Sequence, residues 1–147
     1  MNKRMILYLI GALLLLEAAL MLLPLAAAAL YGEESGWYFL AVLLGAAGLG
    51  GLLMLLSRPR TKTIYAKEGL FTVALCWIVL SLVGALPFTL SGEIPFYLDA
   101  VFEMISGFTT TGSSILTDVE ALSRCMLLWR SFSHWIGGMG ILVFMMA

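Results

Sequence analysis

Apolar runs long enough to cross a bilayer alternate along this chain with short polar turns, and one run is too short to cross. Residues 5–30 are apolar except for Glu17. At about 1.5 Å per residue the run reaches roughly 39 Å, enough to span with tilt. It exceeds the roughly 7–15 residues of a signal-peptide core, and a second span follows at once, so it reads as a retained helix. After the acidic turn YGEESGW, a second run over 37–56 opens with the interfacial aromatics Trp37, Tyr38 and Phe39. A third, 69–90, breaks near Pro87. Residues 96–108 are apolar on balance but only 13 long, and the turn SGFTTTGSS closes them. A spanning helix needs about 20 residues, whereas roughly 10–14 points to a buried or re-entrant element. A last apolar run occupies 126–147.

Composition fixes the class. With 62% apolar and 12% charged residues and a mean hydropathy of +1.04, the chain is an all-α integral membrane protein. Its net charge of −1 says less than where the charges sit. Lys3 and Arg4 lie at one end of the first span, and Arg58, Arg60, Lys62 and Lys67 fill the loop 58–68. The positive-inside rule makes both cytoplasmic, as two intervening spans require. Glu33, Glu34, the SGEIP segment, the turn and the stretch 118–120 then face outward. The predicted domains are a leading helix pair (1–57), a basic cytoplasmic loop (58–68) and a pore unit (69–147). The pore unit divides into outer helix 69–90, half-helix 96–108, filter turn 109–114 and inner helix 126–147. Two helical hairpins joined by an ordinary external loop are the plainer alternative.

The turn has the chemistry of a cation filter. Non-helical backbone at membrane depth survives only in protein or beside water, and carbonyls facing a cavity can replace a cation's water shell. Threonine adds hydroxyl oxygens. Consecutive β-branched residues favour extended backbone, which predicts a strand-like run through Thr109, Thr110 and Thr111. Gly112 is the residue of the turn suited to positive φ, so it should set the direction of a coordinating carbonyl. The carboxyl end of the half-helix, with its partial negative charge, also favours a cation.

SGFTTTGSS followed by LLWRSFSHWIGGMGILVFMMA resembles the first pore loop and inner helix of the bacterial Trk/Ktr potassium-uptake membrane subunits. The resemblance covers residues 69–147, and the two leading spans resemble the extra amino-terminal pair of the Trk branch. It implies a potassium-channel-like fold of four outer-helix, pore-loop, inner-helix units in one chain, each filter turn keeping one glycine. It implies that Thr110, Thr111 and Gly112 coordinate potassium, with Thr109 and Ser113 flanking. It further implies a homodimer in the bacterial inner membrane, a cytosolic nucleotide-binding regulatory subunit, and potassium as substrate rather than cofactor. No nucleic-acid partner is expected, and the spans contact lipid.

Only one pore unit is present, and one turn cannot encircle an ion. The expectation is a longer protein supplying the remaining units; a homo-oligomeric cation channel or a non-conducting assembly module are the alternatives. Arg130 near the apolar layer calls for an acid, most plausibly Glu103 on the half-helix, and the two are the structural ion-pair candidates. Asp99 shares a face with Glu103 and is either an outer cation attractor or a structural partner. His134 reads as a hydrogen-bonded packing residue, and Glu17 as protonated or paired. The small residues of the second span, among them Ala41, Gly45, Ala46, Gly48, Gly50 and Gly51, read as helix-packing surface. Gly137, Gly138 and Gly140 either pack closely or let the inner helix bend. Cys76 and Cys125 have no partner spacing and read as packing thiols, with no metal site. No catalytic triad, paired acids or phosphate-cradling motif supports an enzyme.

Overall fold

In a computed structural model the backbone is described for residues 3–58 and 66–146, and the side chains for 3–58 and 67–140. Seven α-helices follow in order: α1 Lys3–Leu20, α2 Leu22–Tyr31, α3 Gly36–Leu56, α4 Ala66–Gly84, α5 Leu86–Leu90, α6 Tyr97–Phe108 and α7 Arg124–Met146, with a 3-10 turn at Val119–Ala121 before α7. Among the described residues there is no strand. Among the described residues, three stretches are long and apolar enough to cross a membrane: Lys3–Tyr31, Gly36–Leu56 and Lys67–Leu90. The chain is an all-α membrane protein with a leading helix pair and one outer-helix, half-helix, inner-helix unit. Pro59, Arg60 and Lys62 of the expected cytoplasmic loop lie outside the described residues.

Two spans are interrupted, the third near Pro87 as expected and the first where no break was foreseen. The first divides at Met21, because Pro24 has no N–H to offer the Leu20 carbonyl one turn earlier. Bonds from Met21 N to Glu17 O (2.9 Å) and from Leu25 N to Met21 O (3.2 Å) carry the helix through the bend. The third divides at Ala85, two residues before Pro87, for the same reason. At that break the Gly84 carbonyl accepts the indole N–H of Trp129 at 3.0 Å, tying α4 to α7.

The leading pair crosses where α1 and α3 both carry glycine. A Cβ on Gly11 would stand 2.8 Å from the Gly50 carbonyl oxygen, and one on Gly50 2.7 Å from that of Gly11. Only backbone fits there. The packing surface expected of the second span is accordingly confined to Ala46 and Gly50, while Gly45, Gly48 and Gly51 face open space.

α6 packs between α4 and α7, and α2 packs against α7. The core around it collects Met21, Phe39, Phe88, Met104, Phe108 and Trp129. Trp129 meets Phe39 edge-on at 6.2 Å, which joins the leading pair to the inner helix. Outward-facing leucines and Trp37 form the opposite surface, as lipid-facing helices require.

Candidate functional site at the end of the half-helix

α6 is 12 residues long, about 18 Å at 1.5 Å per residue, too short to cross the apolar layer of a bilayer. It ends in a hydrogen-bonded cap. Thr109 remains right-handed (φ −84, ψ 0), Thr110 turns left-handed (φ 58) and Gly112 follows at φ 78. The Thr110 amide donates to the Gly107 carbonyl at 3.0 Å and the Thr111 amide to that of Ser106 at 3.0 Å. This is the paired pattern of a Schellman cap.

The strand-like run expected for Thr109, Thr110 and Thr111 is therefore absent. Closing the cap requires a left-handed residue at position 110, and that requirement overrides the extended preference of a β-branched side chain. A non-glycine residue held there stores on the order of 1–3 kcal/mol. Gly112 is accordingly not alone in adopting positive φ.

The cap sorts the polar groups of the turn. Its amides point back into α6: those of Thr110 and Thr111 as described, and that of Gly112 toward Ser106 O at 3.4 Å. The Ser113 carbonyl accepts from Ser106 Oγ at 2.5 Å. Thr109 Oγ1 donates to Ile105 O at 2.7 Å and lies 2.8 Å from Thr111 Oγ1. Among the described residues, no hydrogen bond engages the carbonyls of Thr109, Thr110, Thr111 or Gly112. Residues 109–114 are all exposed. The turn thus offers a succession of free oxygens with the amides of residues 109–112 folded away, an arrangement suited to a cation.

Behind the turn sits one carboxylate. Glu103 is 1% exposed and its two oxygens are fully engaged. Oε1 accepts the Ile115 amide at 2.7 Å and the Ser114 hydroxyl, and Oε2 accepts Arg130 Nε at 3.0 Å. The structure thus brings Glu103 and Arg130 together and adds Ser114 and Ile115, which sequence reasoning missed. A side chain that reaches eleven residues forward across a turn leaves no periodic trace. His134 Nδ1 lies 2.9 Å from Arg130 O, a packing role. Asp99 stands in the first turn of α6, one helical turn before Glu103. Glu17 is 1% exposed in α1, with its carboxyl close to Gly84 and no hydrogen-bond partner among the described residues. It lies outside the turn, and among the described residues no cluster has the makings of a metal site.

A second polar cluster holds the amino-terminal end of α7. Two carboxylates take three successive amides there. Glu33, between α2 and α3, accepts from Arg124 N (2.9 Å) and Cys125 N (3.0 Å). Glu93, between α5 and α6, accepts from Ser123 N (2.9 Å), Ser123 Oγ (2.7 Å) and Ser35 Oγ (3.1 Å). Negative charge at a helix amino terminus is favourable, and here it comes from outside the helix. Partial burial raises the Glu33 carboxyl, but the Cys125 and Arg124 amides and the Arg124 charge outweigh it and hold it below its ordinary 4.5. The Arg124 guanidinium lies 4.5 Å from the Tyr31 ring centroid. Sequence reading placed Glu33 outside the membrane but missed its helix partner, because the contact closes over ninety positions of chain.

Known proteins resemble this chain over nearly its whole length. It is 38% identical over its full length to the Trk system potassium uptake protein TrkH of Halomonas elongata, covering 31% of that protein. Against the TrkH of Escherichia coli K12 the identity is 35%, again over the full chain and 31% of the relative. The crystal structure of the potassium transporter TrkH from Vibrio parahaemolyticus superimposes with a TM-score of 0.90 at 33% identity, over 97% of this chain and 31% of that one. The chain thus spans about a third of the length of the relatives it matches. The profile of the cation transport protein family TrkH matches residues 39–147, and to that family the chain belongs.

Proposed function

We propose that these residues form the first of four filter units of a potassium-uptake pore, with Thr110, Thr111 and Gly112 supplying ion-coordinating oxygens and Thr109 and Ser113 flanking them. The observation that carries this reading is the cap at the end of α6, which consumes the amides of residues 109–112 and leaves their four carbonyls without a partner among the described residues. A dehydrated potassium ion needs such uncharged oxygens, dense enough to replace water and weak enough to release the ion. The names of the relatives, Trk system potassium uptake proteins, agree with that choice of ion.

In this reading the Glu103 and Arg130 pair is a brace and not an ion ligand, since both carboxylate oxygens are occupied. The other units of the pore come from further chain, in keeping with relatives about three times as long. The membrane is the bacterial inner membrane, with the amino terminus and the loop 58–68 in the cytoplasm. The pore subunit pairs as a homodimer and meets a cytosolic nucleotide-binding regulatory subunit. It is a transporter and not an enzyme, and potassium is its cargo.

The test is Gly112→Ser in the protein encoded by the native gene, scored by rubidium uptake with sodium competition. At φ 78 a side chain is strained whatever the space around it, so the adjoining carbonyls should turn and the preference for potassium over sodium should fall by about tenfold or more, given on the order of 1–3 kcal/mol of strain. An unchanged preference rejects Gly112 as a filter residue.

A further inference from the structure

Gly107 and Phe108, the last two residues of α6, lie directly against Ser133 and Gly137, one turn apart on α7. A Cβ added to Gly137 would stand 2.7 Å from the Phe108 carbonyl carbon, 2.9 Å from its Cα, and closer still to its oxygen. Carbon atoms in contact prefer about 3.5–4.0 Å. All three obstacles are backbone and cannot rotate away. On the other side of the seam, a Cβ on Gly107 would meet Ser133 Cβ at 3.2 Å and its hydroxyl oxygen closer still. The neighbouring glycine differs: a Cβ on Gly138 would make only an ordinary contact, 3.9 Å from Thr110 Cγ2.

This contact bears on the turn because the cap hangs from the same residues. The Gly107 carbonyl holds the Thr110 amide, and the Ser106 carbonyl holds those of Thr111 and Gly112. Any displacement of residues 107 and 108 away from α7 is carried by these bonds into the four free carbonyls. Phe108 is 1% exposed, and its ring is held near Trp77 at 6.1 Å. The end of α6 thus has little freedom to tilt in place of shifting.

We propose that Gly137 is a positioning residue for ion selection: by carrying no side chain it fixes how far the turn is set back against the inner helix, and so where the carbonyls of residues 109–112 stand. This deepens the filter reading above and rests on it. It also separates the two readings of the inner-helix glycines. A hinge needs backbone freedom, which Gly137 and Gly138 supply equally. A spacer needs room, and room is missing at Gly137 alone of that pair.

The experiment measures potassium-over-sodium preference, by rubidium uptake with sodium competition, for variants of the protein encoded by the native gene. Gly137→Ala should lower the preference by about tenfold or more, as overpacking against fixed backbone does to geometry, while Gly138→Ala should stay within about twofold. Should Gly137→Ala fail to assemble, Gly107→Ala decides. It should lower the preference, and adding Ser133→Gly, which clears the opposite wall, should restore most of it. Unchanged preference in Gly137→Ala, equal losses in Gly137→Ala and Gly138→Ala, or no rescue of Gly107→Ala by Ser133→Gly each overturns the proposal. Gly112→Ser in the same assay keeps the two ideas apart. If it lowers the preference while the seam variants do not, the seam alone is wrong; if it does not, the filter reading falls first.

Discussion

Glu103 carries more of the turn's structure than any other single side chain, with acceptors for Arg130, Ser114 and the Ile115 amide on one buried carboxylate. Removing one partner of such a pair leaves a charge without compensation, at about 3–5 kcal/mol when the site is fully buried. The Arg130 side chain is 16% exposed, so Arg130→Ala should cost nearer the lower figure, about 3 kcal/mol. It should lower the unfolding temperature of the purified protein and reduce rubidium uptake, and a Glu103→Arg, Arg130→Glu exchange should recover part of both. A variant Arg130→Ala with unchanged melting and flux would mean that the pair does not brace the turn. At this scale the sequence was informative where a cost had to be met. An arginine near the apolar layer demands an acid, and Glu103 was the acid within reach on the half-helix. It was silent where geometry alone decides: the left-handed Thr110 contradicts the preference of its own side chain and follows only from the cap it completes.

At the scale of elements, hydropathy runs located the helices because burial in lipid leaves an apolar stretch few alternatives. The 13-residue run became a 12-residue half-helix. Breaks were less legible. Pro87 announced one, whereas Pro24 lay inside an otherwise uninterrupted run and its effect at Met21 was not foreseen. Least legible was the capping of α7, since Ser123, at its amino-terminal boundary, donates to Glu93 instead of capping its own helix. This cap yields a pH prediction. The Glu33 carboxyl is held below its ordinary 4.5 in the folded protein, so its charged form contributes stability above about pH 4.5 that is lost as the pH falls through the lowered value. Glu33→Gln should therefore lower stability at neutral pH by the roughly 1 kcal/mol typical of a lost cap, read as a lower unfolding temperature. The gap between variant and parent should close on acidification below about pH 4.5. A gap that stays constant from pH 7 to about pH 3 would show that the Glu33 charge does not hold the helix.

For the whole molecule, charge asymmetry and span count agree on an orientation, and sidedness can be read directly. In a background with Cys76 and Cys125 replaced, Lys62→Cys should react with an impermeant maleimide only after the cells are opened, and Glu34→Cys, in an exposed turn, should react in intact cells. Labelling of Lys62→Cys from outside intact cells would invert every sided statement made above. The amino-terminal end of α7 is also where parts of the molecule are tied together. Glu33 and Glu93 reach the first amides of α7 from two different connections, and Arg124 returns to Tyr31. A rod anchored so firmly at one end can swing only about that end. α7 is 23 residues long, about 34 Å, so a tilt of roughly 5° about the anchored end would carry its far end through about 3 Å while leaving the anchored end almost still. Hung from that end like a pendulum, the inner helix would carry Gly137, about 20 Å along it, through about 1.7 Å of the same arc, so any swing of the rod is felt at the turn pressed against it.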